Sequence, residues 1–344
     1  MLDVRTLDVQ IQIVISPKDA RAFRNSLRRW FRRCGRDLPW RHTRDPYAVL
    51  VSELMLQQTQ VTTVLPCYRN WLRRFPDFAA LANASEHDVL LQWQGLGYYN
   101  RARYLRDCAQ IVQSQHHGKF PSRVDAMLDL PGIGRYTAHA IATFAFDQPV
   151  PIVEANTARV LSRLFDSRLT IDSAVGKNRL WKNATALVPK KSSAIYNSSL
   201  LDLGALVCLP RKPGCHVCPV KKFCAAKSPE SLPIRRSRPR TKRIAENHGL
   251  TVRQDRILLE QSRTRWRGMW ILPPLKLDRK IRSSSQTPIY TSIFPFTNHR
   301  VRLRVFSGGA SKMNKSRQRW FSIGKLDSIP IPSPHRRAIS AVLN

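Results

Sequence analysis

Residues 130–144 read LPGIGRYTAHAIATF, and the two glycines decide how this part of the chain folds. Gly132 and Gly134 lie between two helical patterns. Lacking a Cβ, each lets the backbone turn tightly and approach a ligand closely. The helix that follows aims its free N–H groups and the positive end of its dipole at the turn, which suits a phosphate. A plain helix–helix turn would read the same way in isolation. The neighbouring segments therefore decide what the turn is for.

The chain has 344 residues, enough for two or three compact domains. A hydrophobic content of 42%, with 8 Trp and 13 Phe, excludes wholesale disorder. Against 23 acidic residues stand 58 basic ones, and the balance of +35 calls for a polyanionic partner, nucleic acid first. No run of about 18 apolar residues occurs, so no membrane span is expected. The N-terminus carries Asp3, Arg5 and Asp8 and has no secretory pattern. An intracellular, cytoplasmic protein of bacterial type, associated with the nucleoid, is expected. Its cysteines are then reduced, which argues against disulfides.

Residues 1–16 read as an N-terminal extension. Ser16-Pro17-Lys18-Asp19 marks a helix start, with a capping serine, proline in the first turn and an acid three residues after the cap. From there to 228 the pattern is helical, with a helix–hairpin–helix over 122–146. Asp45-Pro46 opens a helix in which Tyr47, Leu50, Val51, Leu54 and Met55 form a buried stripe. Residues 229–244, rich in arginine, lysine and proline, read as an extended basic linker. Beyond them GLTVRQDRILLEQ reads as a hairpin, VRLRVF as a strand and PHRRAISAVLN as a closing helix. A separate α/β domain over 245–344 is expected.

The loop 208–224, CLPRKPGCHVCPVKKFC, holds four of the seven cysteines. Cys208, Cys215, Cys218 and Cys224 follow the spacing C-x6-C-x2-C-x5-C. Zinc ribbons use two separated C-x-x-C pairs, and only one is present here. Four thiolates in so short a run suit a cubane iron–sulfur cluster, with zinc the lesser alternative.

Five motifs in order carry a resemblance: DLPWR (37–41), SELMLQQTQV (52–61), GLGYYNRAR (95–103), LPGIGRYTA (130–138) and the cysteine loop. Together they resemble the MutY-type adenine DNA glycosylases, a helix-hairpin-helix family related to endonuclease III, over residues 22–225. The C-terminal part is more weakly similar to that family's Nudix-like module. The resemblance implies a mainly α, two-lobed glycosylase with a [4Fe–4S] cluster loop, followed by a Nudix-like α/β domain. It further implies base flipping and hydrolysis of the N-glycosidic bond of adenine mispaired with 8-oxoguanine or guanine. Double-stranded DNA bearing those mispairs is the implied partner, with the protein a monomer free of membranes.

Glu53 falls where the family keeps its catalytic acid. On the flank of the apolar stripe, beside Leu54, a half-buried carboxyl favours its protonated form and can donate to adenine N7. Tyr136 stands where endonuclease III-like lyases carry the Schiff-base lysine, and tyrosine forms no imine. PIVEANTARV (151–160) departs from the family: Glu154 replaces its aspartate and Ala155 its glycine, while Asn156 is retained. The extra methylene moves the carboxylate by roughly 1 Å, a displacement that can cost on the order of 100-fold in rate. Gln58 and Tyr98 match residues that insert into the duplex. Arg41, Gly132, Gly134, Arg211 and Lys212 are further DNA-binding candidates, the last two held toward a phosphate by the cysteine loop. In FTNHRVRL (296–303), His299 best matches the family's lesion-recognition loop, and Asn298 stands for its serine. The glutamate-rich Nudix box is absent, so nucleotide hydrolysis is not expected. Two rivals remain at this point: an endonuclease III-like glycosylase/lyase, and a lesion-binding homologue with little turnover because of Glu154.

Overall fold

Helix formation begins at Ser16, whose Oγ accepts the backbone N–H of Asp19 at 3.1 Å and so satisfies one of the open donors of α1 (Pro17–Cys34). The computed structural model describes residues 16–237, 239–275, 287–308 and 316–343, and the expected extension 1–16 lies outside them except for Ser16. After α1 come α2 (Pro46–Leu56), α3 (Val61–Arg74), α4 (Phe78–Ala82), α5 (Glu86–Gln92) and α6 (Asn100–Gln115). Then follow α7 (Val124–Leu128), α8 (Arg135–Phe144), α9 (Ala155–Leu164), α10 (Ala174–Leu187) and α11 (Ser193–Leu206). No strand interrupts this series among the described residues. No helix among them is long and apolar enough to cross a membrane.

The chain packs as two compact units. One comprises residues 1–50, 121–129 and 133–237; the other comprises 51–120, 130–132 and 238–344.

In the first unit α1, α9, α10 and α11 close on a core that includes Phe23, Leu27, Leu161, Leu180 and Leu200. The cysteine loop packs on the same core through Cys208, Cys218 and Phe223, and the Phe223 ring meets Phe23 edge-on at 5.9 Å. Asp202 on α11 is fully buried and takes Arg36 and Arg41, with contacts of 2.6 to 2.8 Å. Burial alone raises an acid's pKa, yet these hydrogen bonds from Arg41 and Arg36 hold the Asp202 carboxyl below the ordinary range.

In the second unit α3 and α5 meet through Trp71 and Trp93, with ring centroids 5.2 Å apart and edge to face. The strands follow: β1 (Lys242–Leu250), β2 (Val252–Arg253), β3 (Arg256–Gln261), β4 (Trp270–Ile271), β5 (Tyr290–Phe296), β6 (His299–Ser307) and β7 (Gln318–Ser322), then α12 (Ser333–Leu343). One sheet has the order β1-β6-β5, with β1 parallel and β5 antiparallel to β6; in the other, β3 pairs with β2, β4 and β7. The α/β region is fastened to α5 and the segment after it. Gln94 Nε2 donates to Ile329 O at 3.0 Å, and His87 Nε2 lies 3.1 Å from Ser328 O. Arg103 of α6 also donates to the carbonyl of Arg267.

Two features differ from the sequence expectation. The segment read as a basic tether is partly bound: Arg163 Nε donates to Pro229 O at 2.7 Å and Leu232 O at 3.1 Å, and Ile171 N donates to Ile234 O at 3.0 Å. Its carbonyls answer a buried arginine, a demand that composition does not reveal. Moreover, α2 is buried all round over Tyr47–Met55 rather than along one stripe, because its sequence is apolar at nearly every position.

Candidate active site and nucleic-acid interface

Glu53, Gln58, Tyr98, Gly132 and His299 belong to one unit; Arg41, Gly134, Tyr136, Glu154, Asn156, Arg211, Lys212 and the four cysteines belong to the other. Glu53 sits on α2 with 5% of its surface exposed, deeper than the half-burial expected. Three of the next four residues deliver carbonyls to one guanidinium. Arg101 Nη1 donates to Leu54 O (2.6 Å), Met55 O (2.9 Å) and Gln57 O (2.6 Å). Its Nη2 donates to Thr59 Oγ1 (3.2 Å), Leu96 O (2.9 Å) and Gly97 O (3.1 Å). Arg101 is thus a cation at the C-terminal end of α2, where the helix dipole favours one. It has no ion-pair partner among the described residues, and burial lowers its pKa to about 10.

The same guanidinium joins the two loops that carry the expected wedges. Gln58 has φ +56° and Tyr98 has φ +45°, both in the left-handed region. Each costs on the order of 1–3 kcal/mol and persists only where the surroundings impose it. Both side chains are exposed, Tyr98 at 41%. The loop before Tyr98 is further tied by Trp93 Nε1, which donates to Gly97 O at 3.1 Å. Sequence reasoning marks Arg101 only as a loop flank; its position in the first turn of an amphipathic helix gives no sign of burial.

The hairpin glycines differ in what they do. Gly132 has φ +75°, and a Cβ there would lie 2.6 Å from Tyr104 Cβ, so only glycine fits. At Gly134 a Cβ would meet nothing within 4 Å. Its side of the turn is open to an approaching ligand, at the uncapped start of α8. Tyr136, half-buried, is the second residue of that helix. Sequence reasoning missed its neighbours: the Arg135 guanidinium lies 3.8 Å from the Trp181 ring centroid, and His139 meets the same ring edge-on at 5.0 Å. Desolvation lowers the His139 pKa.

Glu154 is the N-cap of α9. Its Oε1 accepts the backbone N–H of Asn156 at 2.7 Å and of Thr157 at 2.9 Å, while Thr157 Oγ1 accepts the Glu154 N–H at 2.8 Å. Both cap bonds fall on one oxygen; Oε2 has no hydrogen bond among the described residues. Asn156 Oδ1 accepts from Arg159 Nη2 at 2.9 Å. Behind it lies Gly204, where a Cβ would come within 2.7 Å of Asn156 Cβ. Arg159 continues to Gly204 O (2.7 Å) and, through Nε, to Cys208 O (2.8 Å).

One turn on, Arg163 Nη1 donates to Cys208 Sγ at 3.2 Å and to Leu209 O at 2.7 Å. Burial pushes the Cys218 thiol up to about 11, and the other three cysteines add to the rise. Burial likewise raises Cys224, with Cys208 and Cys215 contributing. Four thiols that feel one another, with a guanidinium donating to one sulfur, fit a thiolate-held group. Among the described residues no three His, Cys, Asp or Glu side chains are grouped to hold a single metal ion.

The remaining candidates divide. Arg211 and Lys212 are exposed on the cysteine loop and pair with no acid among the described residues. Arg41, expected among the DNA-binding residues, gives Nη1 and Nη2 to Asp202 and Nη1 also to Arg36 O at 2.8 Å. Its donors face inward because the fully buried Asp202 carboxylate needs cationic partners. His299 follows the turn Thr297–Asn298 and lies 3.4 Å from Thr297 Oγ1.

Residues 51–184 match the family model of the HhH-GPD superfamily of base excision DNA repair proteins. The chain is 42% identical over 217 residues to an adenine DNA glycosylase of Mus musculus, covering 60% of this chain and 42% of the mouse protein. The solved structure of a thermostable thymine-DNA glycosylase aligns at 31% identity and a TM-score of 0.56, covering 60% of this chain and 96% of that one. A non-covalent endonuclease III–DNA complex aligns at 20% identity and a TM-score of 0.53, over 62% of this chain and 96% of its own, which shows a shared fold. The chain spans about half the length of the curated relatives it matches. With the hairpin, the buried acid and the cysteine loop in place, residues 51–184 carry the HhH-GPD domain of base excision DNA repair proteins, and the chain is similar to adenine DNA glycosylases over 60% of its length.

Proposed function

We propose that this chain is a monofunctional DNA glycosylase that removes adenine mispaired with 8-oxoguanine or guanine. The observation that carries the reading is the pair Gln58 and Tyr98: both exposed, both left-handed, each following a residue whose carbonyl Arg101 binds. A strained, presented amide and phenol can fill the space that a flipped base leaves. Glu53 donates its proton to adenine N7 as the C1′–N9 bond breaks. Glu154 and Tyr136 support the sugar cation, and Asn156 orients the site. Water then adds to C1′ and its proton passes to a carboxylate, so no strand is cut. His299 is assigned to the lesion side, and Gly132, Gly134, Arg211 and Lys212 to phosphates. We assign a [4Fe–4S] cluster to Cys208, Cys215, Cys218 and Cys224; when bound it would cross-link the loop and hold Arg211 and Lys212 in place at low ordering cost.

Excision across a panel of mispairs tests the reading. Adenine is expected to leave A:8-oxoguanine and A:G duplexes, and thymine to stay in T:G. Borohydride is expected to trap no efficient covalent adduct, since Tyr136 offers no amine. Thymine release, or an adduct formed at the rate of excision, would overturn it.

A second reading, a lesion-binding homologue with little turnover, rests on Glu154, whose Oε1 is committed to the cap of α9. Aspartate caps helices equally well. Glu154→Asp is therefore expected to leave stability intact and to slow single-turnover excision by on the order of 100-fold through the retracted carboxylate. A large gain in rate would favour the second reading instead.

A further inference from the structure

The sheet β1-β6-β5 has two unlike faces. Val301, Leu303 and Val305 of β6 point inward with Phe294 and are buried. The alternate residues Arg300, Arg302 and Arg304 point the other way, and Arg300 and Arg302 are exposed. Register places Arg243 and Pro295 beside Arg300, Ala245 and Ile293 beside Arg302, and Asn247 and Thr291 beside Arg304. This face holds four arginines and no acid among its paired residues. None of the four makes an ion pair among the described residues. Ile293, in its middle, is 60% exposed, so no other described element covers it.

Like charges directly opposite on neighbouring strands destabilise a sheet, and Arg243 against Arg300 is such a pair. Charges this close lie within the Debye length of about 8 Å at physiological salt, so solvent ions relieve the repulsion only partly. A polyanion would relieve it fully. Alternate residues of a strand repeat about every 6.8 Å, which is also the axial advance of two phosphates along one DNA strand. The face runs up to the turn Thr297–Asn298 and to His299, the residue assigned above to the lesion side.

We propose that Arg300, Arg302 and Arg304, with Arg243, form a sequence-independent binding surface for the phosphate backbone of duplex DNA. It is a second anchor, carried by the C-terminal region and separate from the hairpin at Gly132–Gly134. The inference rests on the chain being a duplex-DNA protein, and not on which base it removes.

The test is the salt dependence of binding to an undamaged duplex by the full chain. Arg300→Gln, Arg302→Gln and Arg304→Gln together are expected to reduce the log–log slope by about 2–3, at roughly 0.9 for each phosphate no longer neutralised. A control with Arg21→Gln, Arg28→Gln and Arg32→Gln on α1 removes the same charge and is expected to keep the wild-type slope. The triple Arg→Lys variant on β6 is expected to restore it, because the slope counts charges. A slope equal in the β6 variant and the wild type overturns the proposal and points to an acidic protein partner for this face. Equal reductions in the β6 variant and the control overturn it in favour of diffuse charge. Because the duplex carries no mispair, the result is independent of whether adenine excision is observed.

Discussion

Replacing Glu53 by glutamine should slow adenine excision about 10²- to 10⁴-fold under single-turnover conditions while leaving duplex affinity within a few fold. That range is what a positioned general acid contributes. The substitution is isosteric, and α2 is buried on every side of Glu53, so the helix keeps its packing. What the substitution removes is the proton that Glu53 is proposed to donate. Adenine departs poorly as an anion, and protonation at N7 converts it to a neutral leaving group. A rate within a few fold of wild type would remove Glu53 from the chemistry and leave the departure of adenine to another acid. Binding should be followed on the same A:8-oxoguanine duplex, so that a folding defect is not mistaken for a catalytic one.

Arg101→Met should produce the largest loss outside the acid itself. Six donations vanish, and the carbonyls of Leu54, Met55 and Leu96 are left in buried surroundings. Each orphaned acceptor costs about 1–3 kcal/mol, less where it can relax toward water. A total of about 3–5 kcal/mol is expected, and with about 2–4 °C per kcal/mol the midpoint falls by roughly 10 °C. Stability alone would not identify what the arginine does. The distinguishing readout is flipping: with 2-aminopurine in place of the target adenine, fluorescence rises as the base unstacks. Well below its midpoint the variant should bind duplex yet give little of that rise, because Gln58 and Tyr98 are no longer held in their left-handed conformations. A variant with full flipping and only a lowered midpoint would make Arg101 a packing residue.

Much of this architecture is legible in residue order. The Ser16 cap, the glycine hairpin, the helical series to Leu206 and the β6 and α12 segments each announce themselves by local rules, through capping, positive φ or alternation. Where the polar groups go is not legible in the same way. Arg41, Arg101, Arg159 and Arg163 look alike in a chain with 58 basic residues. Yet Arg41 answers a buried aspartate, Arg101 six acceptors from the end of α2 and two loops, and Arg159 and Arg163 the carbonyls of the cysteine loop. Most of the acceptors that draw them inward lie 42 to 161 residues away, and no spacing rule reaches that far. The burial of Glu53 exceeds its sequence expectation because a helix stripe records one packed face, whereas Tyr47–Met55 of α2 are buried on every side.

The helix α9 has a consequence for how the protein matures. Its first turn carries Glu154 and Asn156, and its next two turns carry Arg159 and Arg163, which grip Cys208, Leu209 and Pro210. Arg159 holds Asn156 with the same Nη2 that reaches α11, while its Nε holds the backbone of Cys208. The N-terminal end of α9 and the sulfur-bearing loop are therefore tied through one arginine. A chain whose loop has not yet closed lacks one of the two grips on Arg159, and Asn156 is correspondingly free to turn. Under the proposed function, excision per chain is then expected to rise with the share of copies whose cysteine loop has closed.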